Sequence, residues 1–132
     1  MRAKKTSKTL KVIVTIFLVV LTFHLFPQED RQDTNIALIS AVAMRDIQKI
    51  NILLANGVDI NFHGEAGMTP LIIATYFNYP DVVAHLIKKG ADLQATYVRR
   101  GCRSGRFTAL DIAKKRGYLN IILMLQNIDA RM

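Results

Sequence analysis

Cysteine is nearly missing from this chain of 132 residues, with Cys102 alone, so an intrachain disulfide framework and a four-cysteine zinc site are both excluded. Tryptophan is absent and proline occurs three times, which leaves no Pro-rich ligand segment. Acidic side chains are outnumbered, 10 against 18 basic ones, for a net charge of +8. That excess resembles a nucleic-acid signal until it is located. Arg2, Lys4, Lys5, Lys8 and Lys11 supply five of the eight charges, and residues 12–132 carry 13 basic against 10 acidic groups, a net of +3. No nucleic-acid partner is therefore expected. Apolar residues make up 51% of the chain, too many for a disordered chain in a sequence too mixed for several membrane spans. The length suits one domain, since domains commonly run to roughly 100–150 residues.

The basic segment 1–11 is followed by "VIVTIFLVVLTFHLF", residues 12–26, fifteen positions without formal charge, and then by the polar segment 27–33. A positive stretch, an apolar run and a polar exit describe an export signal. Fifteen helical residues reach about 22 Å, short of a bilayer core of roughly 30 Å. The exit has no small-x-small pair for a signal peptidase between Leu21 and Asp30. Leu10 and a snorkelling Lys11 can lengthen the span. The reading is one N-terminal transmembrane signal-anchor helix, the alternative being a cleaved signal and a soluble periplasmic protein. The charge asymmetry places the N-terminus in the cytoplasm and the rest outside. A core helix would show polar positions every third or fourth residue, whereas this run has only Thr15, Thr22 and His24.

The remainder repeats itself. "INILLANGVDIN" (50–61) and "VAHLIKKGADLQ" (83–94) superpose at an offset of 33, with Gly57 on Gly90 and Asp59 on Asp92. "ALISAV" (37–42) falls on "PLIIAT" (70–75) at the same offset, and "TALDIAKKRGYLNIILML" (108–125) on "TPLIIATYFNYPDVVAHL" (69–86) at 39. Thr69 before Pro70 can cap a helix. Leu71 and Ala74 then share one helical face, and Val82, Val83, Leu86 and Ile87 repeat that spacing on a second helix. Gly57 and Gly90 stand where a left-handed residue ends each helix. No such unit buries its apolar stripe alone, so stacking must supply the core.

With "GMTPLIIA" and "LIKKGADL" in a period of 33, residues 34 to about 128 resemble the ankyrin repeat. The resemblance implies an all-α repeat fold, an ankyrin solenoid of about three helix-turn-helix repeats with hairpin fingers. The domain is expected over 34–132, with repeats at about 34–66, 67–99 and 106–130. Departures are also visible. The histidine usual after T-P-L is Ile39, Ile72 and Asp111, and Asn78 and Tyr79 replace a G-H turn. Ile121, Ile122, Leu123, Met124, Leu125 and Ile128 make the last helix apolar nearly all round, where a capping helix should be polar outside. Either the tail folds over it or something else covers it, and self-association is one such cover.

A six-residue insertion separates the second and third repeats as a basic finger, 97–106, carrying Arg99, Arg100, Arg103 and Arg106 with no acid between Asp92 and Asp111. Loops on a rigid scaffold carry recognition, and Arg pairs bidentately with carboxylate or phosphate. An acidic patch on a protein and anionic lipid headgroups both suit it, and a merely solvated loop is the third reading. The resemblance implies partner contact through hairpin tips and first helices, at Met44, then at Glu65, Met68, Tyr76 and Phe77, then at Phe107, Lys115 and Arg116. Tyr76 and Phe77 are adjacent, so they cannot both face one core, and aromatics supply interface anchors.

Catalysis has little support. His24, His63 and His85 are scattered, and no H-E-x-x-H, P-loop or G-x-S-x-G motif occurs. Cys102 sits among arginines that favour its thiolate, but no histidine neighbours it by repeat equivalence. No catalytic, cofactor-binding or metal-ligating residue is assigned, and no cofactor is expected. The expectation is a non-enzymatic protein-binding module, tethered to a bacterial inner membrane and facing the periplasm. Small exported proteins of similar pattern include immunity proteins against secreted lipase-like toxins, and that is the specific function the resemblance implies. The alternatives are an accessory partner of a periplasmic enzyme such as a catalase, and a membrane adaptor binding anionic lipid.

Overall fold

The computed structural model describes residues 3–25, 31–99, 101 and 105–131. The chain divides into an N-terminal unit, residues 1–30, and a second unit, residues 31–132.

The N-terminal unit is one helix, α1 (Ala3–Leu25). Leu10, Val12, Ile13, Phe17 and Val19 are each about 60% exposed, and Leu21 is 42% exposed. The hydroxyls within this run bond their own backbone, Thr15 Oγ1 donating to the Lys11 carbonyl at 2.7 Å and Thr22 Oγ1 to that of Val19 at 2.8 Å. The transmembrane helix expected from the sequence is not shown. Among the described residues no helix is long and apolar enough to cross a membrane.

The second unit contains three helix pairs: α2 (Arg31–Ala43) with α3 (Ile47–Ala55), α4 (Pro70–Tyr76) with α5 (Pro80–Lys88), and α6 (Ala109–Arg116) with α7 (Leu119–Asp129). The first helices form a row, α2 on α4 on α6, and α5 also packs on α7. A polar side-chain contact joins α3 and α5: His85 Nε2 lies 2.8 Å from Asn51 Oδ1. The start of α2 at Arg31 takes up residues 31–33 of the segment read as a linker, with Asp33 in the first turn, where the helix dipole favours an acid.

The sequence period reappears as geometry. Ala41, Ala74 and Ala113, at offsets of 33 and 39, are all fully buried, and their small side chains let the paired helices approach. Leu38, Leu71, Ile72, Val82, Val83, Leu86 and Ile121 fill the continuous core around them. Gly57 and Gly90 have φ of 83° and 91°, the left-handed ends expected. Thr69 Oγ1 accepts from the Ile72 N–H at 3.4 Å. In the third repeat Asp111, standing where the resembled pattern has histidine, completes a capping box: its carboxylate accepts from the Thr108 N–H at 2.9 Å, while the Asp111 N–H donates to Thr108 Oγ1 at 3.2 Å. In α7, Ile121 and Leu125 are buried, but Leu119 is 71% and Leu123 58% exposed. No part of the described chain folds over those two.

Each helix pair turns through one left-handed residue at the same repeat position: Arg45 (φ 59°), Asn78 (φ 57°) and Gly117 (φ 73°). Asparagine adopts this conformation more easily than most residues, so the G-H replacement keeps the turn. Arg45 is held there by cross-repeat contacts. Its Nε donates to both Asp81 carboxylate oxygens, at 2.9 and 3.1 Å, and its guanidinium lies 5.8 Å from the Tyr79 ring centre. Desolvation pushes the Asp81 carboxyl up, but the Arg45 hydrogen bond and charge and the Val82 backbone N–H outweigh it and leave Asp81 below its usual 3.8. A lowered carboxylate stabilises the fold above its unfolded value, and that contribution is lost as pH falls through the folded one. Both partners are substantially exposed, so Asp81→Asn should cost less than about 1 kcal/mol at neutral pH. In paired melts the parent–variant gap should close as pH drops below about 3.9; a gap that persists in acid would assign the effect to packing.

The first finger turns tightly. A single 3-10 turn (Glu65–Gly67) places Ala66 at φ 58° and Gly67 at φ 78°, with the Met68 N–H donating to the Glu65 carbonyl at 3.2 Å. Two successive positive φ values are the mark of a type I′ turn, for which Asn-Gly is the preferred pair. At Gly67 it is the left-handed φ that requires glycine, since an added Cβ would meet the Thr96 carbonyl oxygen only at an ordinary 3.4 Å. Ala66 is exposed and bears the strain alone. Ala66→Asn is therefore expected to stabilise by about 0.5–1 kcal/mol, read as a higher denaturation midpoint at unchanged slope.

Candidate interaction groove

The described ends of the insertion, β1 (Tyr97–Val98) and β2 (Arg106–Phe107), pair antiparallel, Tyr97 with Phe107 and Val98 with Arg106. The Tyr97 and Phe107 rings lie 5.9 Å apart. The base of this finger lies beside the inner row of helices and encloses a groove of about 700 Å³. Ile39 and Ala43 of α2, Ala66 and Met68 of the first finger, Ile73 and Tyr76 of α4 with Phe77 after it, Tyr97, Val98 and Arg99, Phe107, and Asp111, Ile112, Lys115 and Arg116 of α6 line it. The helices α3, α5 and α7 contribute nothing to it.

Repeat equivalence explains why these side chains converge. Ala43, Tyr76 and Lys115 occupy one repeat position, and Met44, Phe77 and Arg116 the next. Neither Tyr76 nor Phe77 is a core residue: they are 40% and 49% exposed, set edge to face at 5.7 Å. Phe77 stacks on Tyr79 at 5.7 Å. The Arg116 guanidinium lies 4.1 Å above the Tyr76 ring, a cation–π contact that fixes both. Hydrogen bonds to Tyr118, then to Tyr76, raise the Arg116 guanidinium further above its ordinary value, so it stays charged. Lys115 Nζ lies 5.8 Å from the Phe107 ring centre.

Of the residues singled out from sequence, Met68, Tyr76, Phe77, Arg99, Phe107, Lys115 and Arg116 meet in this groove. Met44 is 76% exposed and, like Glu65 and Arg106, lies outside the groove lining. Arg100, Arg103 and Cys102 fall outside the described residues. Sequence reasoning missed Ile39, Ile73, Tyr97, Val98 and Ile112. Ile73 and Ile112 share a repeat position and are both largely buried, a repeat signal that was present in the sequence, and Tyr97 at the foot of the finger was the aromatic cue. Among the described residues the one ion pair is Arg45–Asp81, so Arg99, Lys115 and Arg116 have no carboxylate partner. Asp111, the one acid among the groove's described lining residues, is engaged by Thr108. No group of three or more His, Cys, Asp or Glu able to hold a metal ion occurs among the described residues.

Comparison with known proteins gives a consistent picture. The family model described as ankyrin repeats (3 copies) matches residues 13–97 and 38–132. Protein phosphatase 1 regulatory subunit 27 of Homo sapiens is 43% identical over 60 residues, which are 46% of this chain and 39% of that protein. Ankyrin repeat and KH domain-containing protein mask-1 of Caenorhabditis elegans is 32% identical over 96 residues, 73% of this chain but 4% of that protein. Protein fem-1 homolog C of Bos taurus is 31% identical over 85 residues, 64% of this chain and 14% of that protein. The chain thus spans well under half the length of these relatives.

Proposed function

The chain belongs to the ankyrin repeat family, and we propose that it is a non-catalytic module that binds another protein stoichiometrically through the groove between its inner helices and its fingers. The observation that carries this reading is the convergence of four partly exposed aromatics, Tyr76, Phe77, Tyr97 and Phe107, with three cations that have no acid partner among the described residues. Large aromatic and Arg side chains around a recess are the composition of interface anchors. A relative named as a regulatory subunit of a phosphatase supports an action on an enzyme. In its specific form the partner is a secreted lipase-like toxin that the module neutralises. The second form, an accessory partner of an enzyme such as a catalase, rests on the same groove. The test is a one-to-one complex measured by light scattering, followed by assay of the bound enzyme. Loss of the partner's activity selects neutralisation, and retained or raised activity selects the accessory role. A complex indifferent to Tyr76→Ala and Phe77→Ala would remove the groove from consideration.

The proposed address is the inner membrane, with residues 31–132 on the periplasmic side. It is supported by the exposed apolar run of α1, whose threonine hydroxyls are satisfied within the helix, and by the lysines that precede it. Alkaline extraction and protease accessibility of intact and opened cells would check both the attachment and the side.

A further inference from the structure

We propose that the groove selects an extended acidic peptide, one carrying a large apolar side chain flanked by carboxylates; this rests on the groove being the binding surface. The floor is aliphatic, formed by Ile73 and Ile112, and the walls are the aromatics Tyr76, Phe77 and Phe107. Its volume of about 700 Å³ lies within the usual range for sites that seat side chains, roughly 300–1,000 Å³. An apolar floor gains by taking a side chain out of water, which gives the peptide its anchor.

Charge then sets what must flank the anchor. Lys115 and Arg116 stand in the last turn of α6, and their presence there alone would be explained by the negative end of the helix dipole. Arg99 has no such explanation. It comes from the second finger, on a different element, yet lines the same groove. Cations from two elements around one apolar recess, with the single acid among its described lining residues already taken by Thr108, leave positive charge without an acid partner among the described residues. Carboxylates of a partner supply the match, with Arg well suited to bidentate pairing. A membrane surface fits less well, because it would meet the cations but leave the recessed apolar floor unfilled. A basic or neutral segment would leave the cations desolvated without a partner, which costs affinity.

The experiment uses the full chain in mild detergent and four fluorescein-labelled peptides read by anisotropy: a Leu-Phe pair flanked by Glu, the same pair flanked by Gln, the same pair flanked by Lys, and the Glu peptide with Ser-Ser replacing Leu-Phe. The Glu-flanked Leu-Phe peptide should bind at least roughly tenfold more tightly than each of the others. Its affinity should fall with added salt, and again in the variant Arg99→Gln/Lys115→Gln/Arg116→Gln, which keeps the side-chain stems. Phe77→Ala should weaken all peptides that bind. Equal binding of the Gln- or Lys-flanked peptide, still sensitive to Phe77→Ala, would overturn the acidic preference and leave the groove reading intact. Binding insensitive to Phe77→Ala would overturn both. Failure to bind any peptide, or charge-dependent binding to phosphatidylglycerol vesicles alone, would overturn the peptide proposal.

Discussion

Leu71→Ala is expected to lower the stability of the repeat unit by about 2–5 kcal/mol, the usual cost of emptying a fully buried leucine site. Leu71 is 1% exposed near the start of α4, and α4 is the helix that packs on α2, α5 and α6 alike. In a solenoid stability is close to a sum of repeat and neighbour-interface terms, so a cavity in the middle repeat weakens two interfaces. Against a total of about 5–15 kcal/mol for a domain, such a loss brings the unit near its unfolding threshold. The contrast is Leu123→Ala on α7, where a 58% exposed side chain should change stability by no more than about 0.5 kcal/mol. Denaturant melts of both variants provide the check, and similar shifts for the two would contradict a core centred on α4.

The second large effect belongs to binding. Changing Tyr76 and Phe77 together to Ala should weaken the complex with the proposed protein partner by at least about 2 kcal/mol, a roughly thirtyfold rise in Kd. The fold should scarcely respond, because both rings are partly exposed in the groove. Arg116 also loses the ring it lies over at 4.1 Å, so the double change removes a cation's support along with two anchors. Met44→Ala, Glu65→Ala and Arg106→Ala are the matched controls, since those residues lie outside the groove lining. Calorimetric titration of the five substitutions against one captured partner would show the difference. Equal losses at groove and control positions would mean that contact is spread along the fingers.

Much of the fold was legible because its causes are local. A capping Thr69 before Pro70, apolar residues three and four apart, and Gly57 and Gly90 ending the second helices of their repeats act within one or two turns of chain, and the period of 33 writes them out again. The site was legible only in part, because repeat alignment names equivalent positions without saying which way each one faces. Tyr76 and Phe77 were seen as a pair that one core could not hold; that both would stand in the groove depended on the finger of Tyr97 and Phe107 lying alongside. The signal-anchor reading rests on the apolar run 12–26 with Leu10 and Lys11 extending it, and among the described residues no helix is long and apolar enough to cross a membrane.

The sequence by itself determined the repeat, the caps and turns that recur within it, and the place where a finger interrupts it. The tertiary structure alone decided that Arg45 would grip Asp81 across 36 residues, that Asp111 would be occupied as a cap, and that Arg99, Lys115 and Arg116 would gather around an apolar floor. The physical reason is range: propensity and capping act on neighbours in the chain, while the groove depends on stacked helices bringing distant residues together.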